Sequence, residues 1–105
     1  MNTIFDRPRV LRGEEVTLEQ AVMELLPVTG SVEVQRDTPG REHPTHTHPT
    51  HETLLIVSGS ITFTIGEESW KCTSGDRLIL PKGTLHSSIA GEEGCVYIIR
   101  LHETE

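Results

Sequence analysis

The stretch HPTHTHPTHE, residues 43 to 52, holds four of the chain's six histidines together with a glutamate. Imidazoles and carboxylates are ligands for divalent transition metals. His46 and His48 stand two apart, and on a strand residues two apart face the same side. They would then be two metal ligands side by side. Glu52 follows Pro49 and Thr50, which read as a bend, and opens a run in which Glu52, Leu54 and Ile56 share one face. The chain can therefore run down one strand, turn, and deliver a carboxylate toward two imidazoles. His51 competes with Glu52, because His46, His48 and His51 could bind a metal by themselves. A further ligand has to come from His86 or His102. His86 follows the Pro81-Lys82-Gly83 turn, at the start of a strand where a barrel interior would open. His102 lies near the end of the chain and reads as a bystander. The bland alternative is an exposed tract that picks up stray metal. A purification tag is excluded, because the run is interrupted, internal and flanked by strand-like segments.

The elements that must position these residues are mostly strands. In VTLEQAVMELLPV, Thr17 and Gln20 fit a capping box, Leu18, Val22, Leu25 and Leu26 recur at helical spacing, and Pro27 ends the run. One helix over residues 18–25 follows, expected to cover an open face or edge of a sheet or to pack at a dimer contact. From Ser31 onward the pattern is β. SVEVQR alternates, with Val32 and Val34 on one face; TLLIVS is apolar on both faces; ITFTI puts Ile61, Phe63 and Ile65 opposite Thr62 and Thr64. ESWKCT, RLILP, LHSSIA and VYIIRL complete the set, separated by turn signals at Pro39-Gly40, Ser58-Gly59, Gly66, Ser74-Gly75, Lys82-Gly83, Gly91 and Gly94. Many short strands joined by glycine-rich turns predict an all-β sandwich or barrel. A single domain over 1–105 is expected, with a helical segment at 1–30 and the barrel at 31–101.

Composition narrows the partners. Sixteen acidic and nine basic residues give a net charge of −7 among 105 residues, which disfavours phosphate backbones and anionic lipid alike. No nucleic-acid or membrane partner is expected. MNTIFDRPRV carries no apolar segment of the kind that marks a secretory signal, and the longest apolar run is Leu54-Leu55-Ile56-Val57. A cytoplasmic protein is the expectation, and Cys72 and Cys95 are then buried free thiols.

Two stretches resemble the motifs of the cupin superfamily. The first cupin motif is glycine, five residues, His-x-His, three or four residues, glutamate, six residues, glycine; GREHPTHTHPTHETLLIVSG matches it at Gly40, His46, His48, Glu52 and Gly59. The second is glycine, five residues, Pro-x-Gly, two residues, histidine, three residues, asparagine; GDRLILPKGTLHSSIA matches at Gly75, Pro81, Gly83 and His86, with Ala90 in the asparagine position. The 15 residues between Gly59 and Gly75 match the short spacer common in small microbial cupins.

The resemblance implies a double-stranded β-helix, or jelly-roll barrel, holding one divalent metal per chain (Fe, Mn, Ni, Zn or Cu) on His46, His48, Glu52 and His86. In that register Glu52 displaces His51, which becomes a neighbour of the ligands or a residue of the mouth, and His43 lies at the mouth or in solvent. The site would leave up to two positions open, which suits a small-molecule metalloenzyme of the dioxygenase or isomerase kind; the alternative is a non-catalytic module that binds a sugar, a metabolite or metal. No general acid or base stands out. Tyr97 is the aromatic hydroxyl that could reach a cavity, although packing explains it equally; Arg77 and Arg100 could meet a carboxylate but read better as surface residues. Open sheet edges predict a homodimer.

Overall fold

A computed structural model describes residues 3–102. A 3-10 turn at Thr3–Phe5 leads into β1 (Arg9–Leu11) and α1 (Leu18–Leu25). Then follow β2 (Glu33–Asp37), β3 (Glu42–His46), β4 (His51–Ile65), β5 (Glu68–Thr73), β6 (Arg77–Leu80) and β7 (His86–His102). The strands pair antiparallel in the order β1-β6-β4-β7-β2, with β3 also on β7 and β5 also on β4. The all-β, double-stranded β-helix architecture is as expected. The sheet is nonetheless not closed into a complete barrel.

Two long strands organise everything else. β4 pairs with β6 over Glu52–Leu55 and with β5 over Ser60–Ile65, while β7 runs beside it for most of its length. The sequence suggested two strands on either side of Ser58-Gly59 and two on either side of Gly91 and Gly94. The chain instead continues through both, and the β4–β7 register shifts at Ile56/Ser58 and Gly59/Ile61. These shifts are bulges, which bend a strand without reversing it. Gly59 has a φ of 71°, and a Cβ there would run into the carbonyl oxygen of Gly94, itself at a φ of 75°. Glycine is required because the two backbones cross too closely for a side chain.

Between the folded layers lies a core of Leu54, Ile56, Ile61, Phe63, Cys72, Leu78, Leu80, Ala90, Cys95 and Tyr97. Both cysteines are free and buried, as expected, and burial pushes their thiols up to about 11 and about 12. Ala90 sits inside β7 opposite Ile61, its N–H donating to the Arg41 carbonyl at 2.9 Å.

α1 spans the residues expected, and its capping box is present: Gln20 N–H donates to Thr17 Oγ1 at 3.2 Å, and Thr17 N–H donates to Gln20 Oε1 at 2.9 Å. The helix buries Ala21 and Leu25 against Leu55 and Ile98, so it covers the outer face of β4 and β7. Leu18 and Leu26, placed on the apolar stripe by spacing, are exposed. Arg77 Nη2 reaches Glu24 Oε1 at 2.6 Å and Arg100 Nη1 donates to the Leu25 carbonyl at 3.3 Å. These two arginines hold the helix to the sheet.

Candidate metal centre

His46 and His86 are cross-strand partners, one ending β3 and the other opening β7. His48 is not on the strand. β3 ends at His46, and the i, i+2 strand argument does not describe how His48 arrives; the chain turns inward through the bend at Pro49 and Thr50. Its placement comes from the backbone. The Gly83 N–H donates to the His48 carbonyl at 2.9 Å, tying this segment to the Pro81-Lys82-Gly83 turn that presents His86. Thr84 Oγ1 closes the same turn by donating to the Pro81 carbonyl at 2.7 Å.

The three rings converge. Centroids are 4.8 Å apart for His46 and His48, 4.3 Å for His46 and His86, and 5.4 Å for His48 and His86. One nitrogen from each lies within 4.8 Å of the others. Two tautomers follow from hydrogen bonds. His46 Nδ1 lies 2.7 Å from the Pro44 carbonyl and His86 Nδ1 lies 2.9 Å from the Thr84 carbonyl. A carbonyl accepts only from N–H, so each Nδ1 carries the proton and each Nε2 keeps its lone pair. A neighbouring backbone carbonyl that fixes the ring in this way is the usual support of a metal-binding histidine.

Glu52 lies beside this cluster, with Oε2 3.1 Å from His48 Nε2. The Glu52 carboxyl is 4 % exposed, and burial, with the charge of Glu33 as a lesser cause, raises its pKa to about 7. Burial and then the neighbouring His46 lower the pKa of His48; burial likewise lowers that of His86. His48 and His86 thus favour the neutral imidazole, the form that binds metal.

His51 points elsewhere. It neighbours Glu52 in β4, and strand alternation turns it to the opposite face. Its ring stacks on Phe5 at 4.3 Å, and its Nδ1 accepts from the Lys82 N–H at 2.9 Å. His51 therefore braces the outside of the turn that carries His86. The end of the chain, residues 102–105, reads from the sequence as frayed; His102 instead closes β7, with Nε2 2.9 Å from Thr53 Oγ1 and its ring against Phe5, and residues 103–105 lie outside the described residues.

His43 is neither a bystander nor in open solvent. Its Nε2 donates to Asp37 Oδ2 at 3.0 Å, Tyr97 Oη donates to the same oxygen at 3.0 Å, and Gln35 Nε2 donates to Oδ1 at 3.0 Å. Asp37 is 1 % exposed. Burial alone would raise its pKa, but the three donors outweigh that and hold the carboxyl below its usual range. Burial pushes the Tyr97 hydroxyl upward, so it remains a donor. Sequence reasoning missed this network. Val34, grouped with Val32 on one face by alternation, is 55 % exposed, while Gln35 and Asp37 turn in. The signal that could have found it is the polar alternation of Gln35 and Asp37 on the face opposite Val34.

Both groups open onto one cavity of about 320 Å³, lined by His43, His46, His48, Glu52, His86, Gln35 and Tyr97 and by the apolar Leu54, Phe63, Ile99 and Leu101. Its size is that of a small-molecule site.

A family model described as the cupin domain matches residues 33–99, so the chain belongs to the cupin domain family. Solved structures agree on the fold. A protein of unknown function from Rhizobium leguminosarum is 19% identical with a TM-score of 0.65, the match covering 87% of this chain and 97% of that one. The polyketide cyclase RemF from Streptomyces resistomycificus is 16% identical with a TM-score of 0.62, over 68% of this chain and 52% of its own. The DMSP lyase DddQ from Ruegeria pomeroyi is 22% identical with a TM-score of 0.61, over 70% of this chain and 39% of its own. No curated protein matches the chain.

Proposed function

We propose that this cupin binds one divalent transition metal on His46, His48, His86 and Glu52 and acts on a small molecule that chelates the metal through oxygen. The observation that carries the reading is the convergence of three imidazole nitrogens within 4.8 Å in a cavity wall, with two of the rings already fixed in the ligating tautomer. The donor set fits such an ion: three neutral nitrogens and one carboxylate suit first-row metals, and the absence of a thiolate distinguishes it from a closed structural zinc site. Bound there, the metal would supply Lewis-acid polarisation of a substrate oxygen. The chain's own residues set the rest. Pro44 and Thr84 carbonyls orient the rings, the Pro81-Lys82-Gly83 turn places His86, and Leu54, Phe63 and Ile99 exclude water from the chelated group.

The solved structures of similar fold include a cyclase and a lyase, which supports small-molecule chemistry of the kind proposed. We also propose a homodimer formed through the open sheet edges. The metal reading is tested by elemental analysis of the protein purified from metal-supplemented cells. About one metal per chain is expected in the wild type, and none in the His46→Ala, His48→Ala double variant. Equal metal in both would overturn the assignment.

A further inference from the structure

The cavity has two chemically different walls. One is the histidine cluster with Glu52. The other is His43, backed by a buried carboxylate that the proposed metal site does not use. Four polar side chains from three strands meet there: Gln35 and Asp37 from β2, His43 from β3 and Tyr97 from β7. Asp37 accepts three hydrogen bonds of 3.0 Å, from Gln35, His43 and Tyr97.

The geometry fixes what His43 can do. A carboxylate accepts only from N–H, so the proton of the neutral ring sits on Nε2. Nδ1 is then a basic lone pair, and among the described residues nothing donates to it. The ring borders the same cavity as the histidine cluster. An imidazole with one nitrogen held by a buried carboxylate and no hydrogen bond at the other has the arrangement of a general base, because the carboxylate stabilises the imidazolium formed when a proton is taken. Tyr97 and Gln35 keep Asp37 ionised and fixed.

We propose that His43 is the base that removes a proton from a substrate held at the histidine cluster, with Asp37 as its positioning residue, and that the substrate class is a small 2-oxo acid carrying a C–H next to its carbonyl. This rests on the reading of the cluster as a metal site. An oxo acid offers two oxygens to chelate, and its adjacent carbon is the acidic one. In the step, the C–H bond breaks and an N–H bond forms at Nδ1. The C–H electron pair forms the new carbon–carbon double bond, and the carbonyl π pair moves onto its oxygen. Return of the proton from His43 to carbon restores the keto form, and no oxidant or reductant is consumed.

Two measurements test it. In the metal-free protein labelled with 15N, long-range proton–nitrogen spectra should show His43 with Nε2 protonated and Nδ1 bare, and Asp37→Asn should disturb that preference; a ring protonated on Nδ1 in the wild type would overturn the proposal. In the metal-loaded protein, pyruvate in D2O is the probe. Wild type should exchange its methyl protons faster than the same concentration of free metal. His43→Gln, which can still donate to Asp37 and so keep the fold, should slow exchange at least about 100-fold, the scale of a lost general base. Exchange undiminished in His43→Gln, or none in metal-loaded wild type, refutes the role of His43. Elemental analysis of the same samples separates the two readings: wild type that carries no metal overturns the metal site itself, whereas metal-replete His43→Gln with wild-type exchange overturns only the base.

Discussion

Glu52 makes the clearest prediction about the metal-free protein. Its carboxyl has an ordinary value of 4.5 and is raised to about 7 in the fold, first by burial and then by Glu33. The folded protein therefore holds this proton more tightly than the unfolded chain, and the stability associated with it is full below about pH 4.5 and lost as pH rises through about 7. Each pKa unit corresponds to about 1.4 kcal/mol. Linkage between these two values gives a loss of roughly 0.8 kcal/mol at pH 5 and roughly 3.3 kcal/mol at pH 8. The difference between those conditions is about 2.5 kcal/mol. Glu52→Gln keeps the shape and a donor toward His48 Nε2, which lies 3.1 Å from Oε2, but cannot ionise. Urea unfolding of the metal-stripped wild type and variant at pH 5 and pH 8 isolates the contribution, because other titrating groups cancel in the comparison. The variant should gain on the wild type by about 2.5 kcal/mol between the two pH values, or roughly 1 to 2 M in urea midpoint. A gap that stays constant within about 0.5 kcal/mol would show that the carboxyl is not held in a dry, proton-retaining environment, and the reasoning from burial would fail. Added divalent metal should reverse the order at pH 8, since it favours the ionised carboxylate.

Other outcomes follow from the same physics. Asp37→Ala strands three donors around a buried void and should cost about 2 to 4 kcal/mol in urea unfolding. Because the folded pKa of Asp37 lies below its ordinary 3.8, its stabilisation is present above that value and lost as pH falls through the folded pKa; Asp37→Asn should remove this part of the acid sensitivity, read as a shallower fall in melting temperature below pH 4. Gly59→Ala meets both the positive φ and the Gly94 carbonyl, and should lower stability by more than about 3 kcal/mol or abolish soluble expression. Thr17→Ala removes a cap that only holds α1, and should cost about 1 kcal/mol in thermal unfolding while metal content stays unchanged.

The sequence and the structure part company at specific places. The gathering of His46, His48 and His86 was legible because histidines at fixed offsets, with glycine and proline punctuation between them, survive any uncertainty about where strands end; Glu52 lies beside them, against His48. The helix was legible because its capping box is local. β4 and β7 were read as four strands because glycine marks a bulge and a reversal with the same letter; only the cross-strand partner, Gly94 against Gly59, distinguishes them. Asp37 was missed for a different reason. β2 faces a polar cavity, so its inward residues are Gln35 and Asp37 and its valine looks out, the reverse of what burial of apolar surface predicts. His51 was placed near the ligands because sequence adjacency says nothing about which face of a strand a residue occupies until the register is known.

The unbroken run of β7 links the two walls in time as well as in space. His86 stands at its head, paired with His46 of β3, and Tyr97 in its body, eleven residues on; β4 borders the strand over 87–90 and 95–102. If β7 opens as one contiguous cooperative unit, both residues leave together. Amide hydrogens on both flanks of the cavity should then exchange with solvent at one shared free energy, close to that of global unfolding. The polar wall and the histidine wall would persist, and disappear, together.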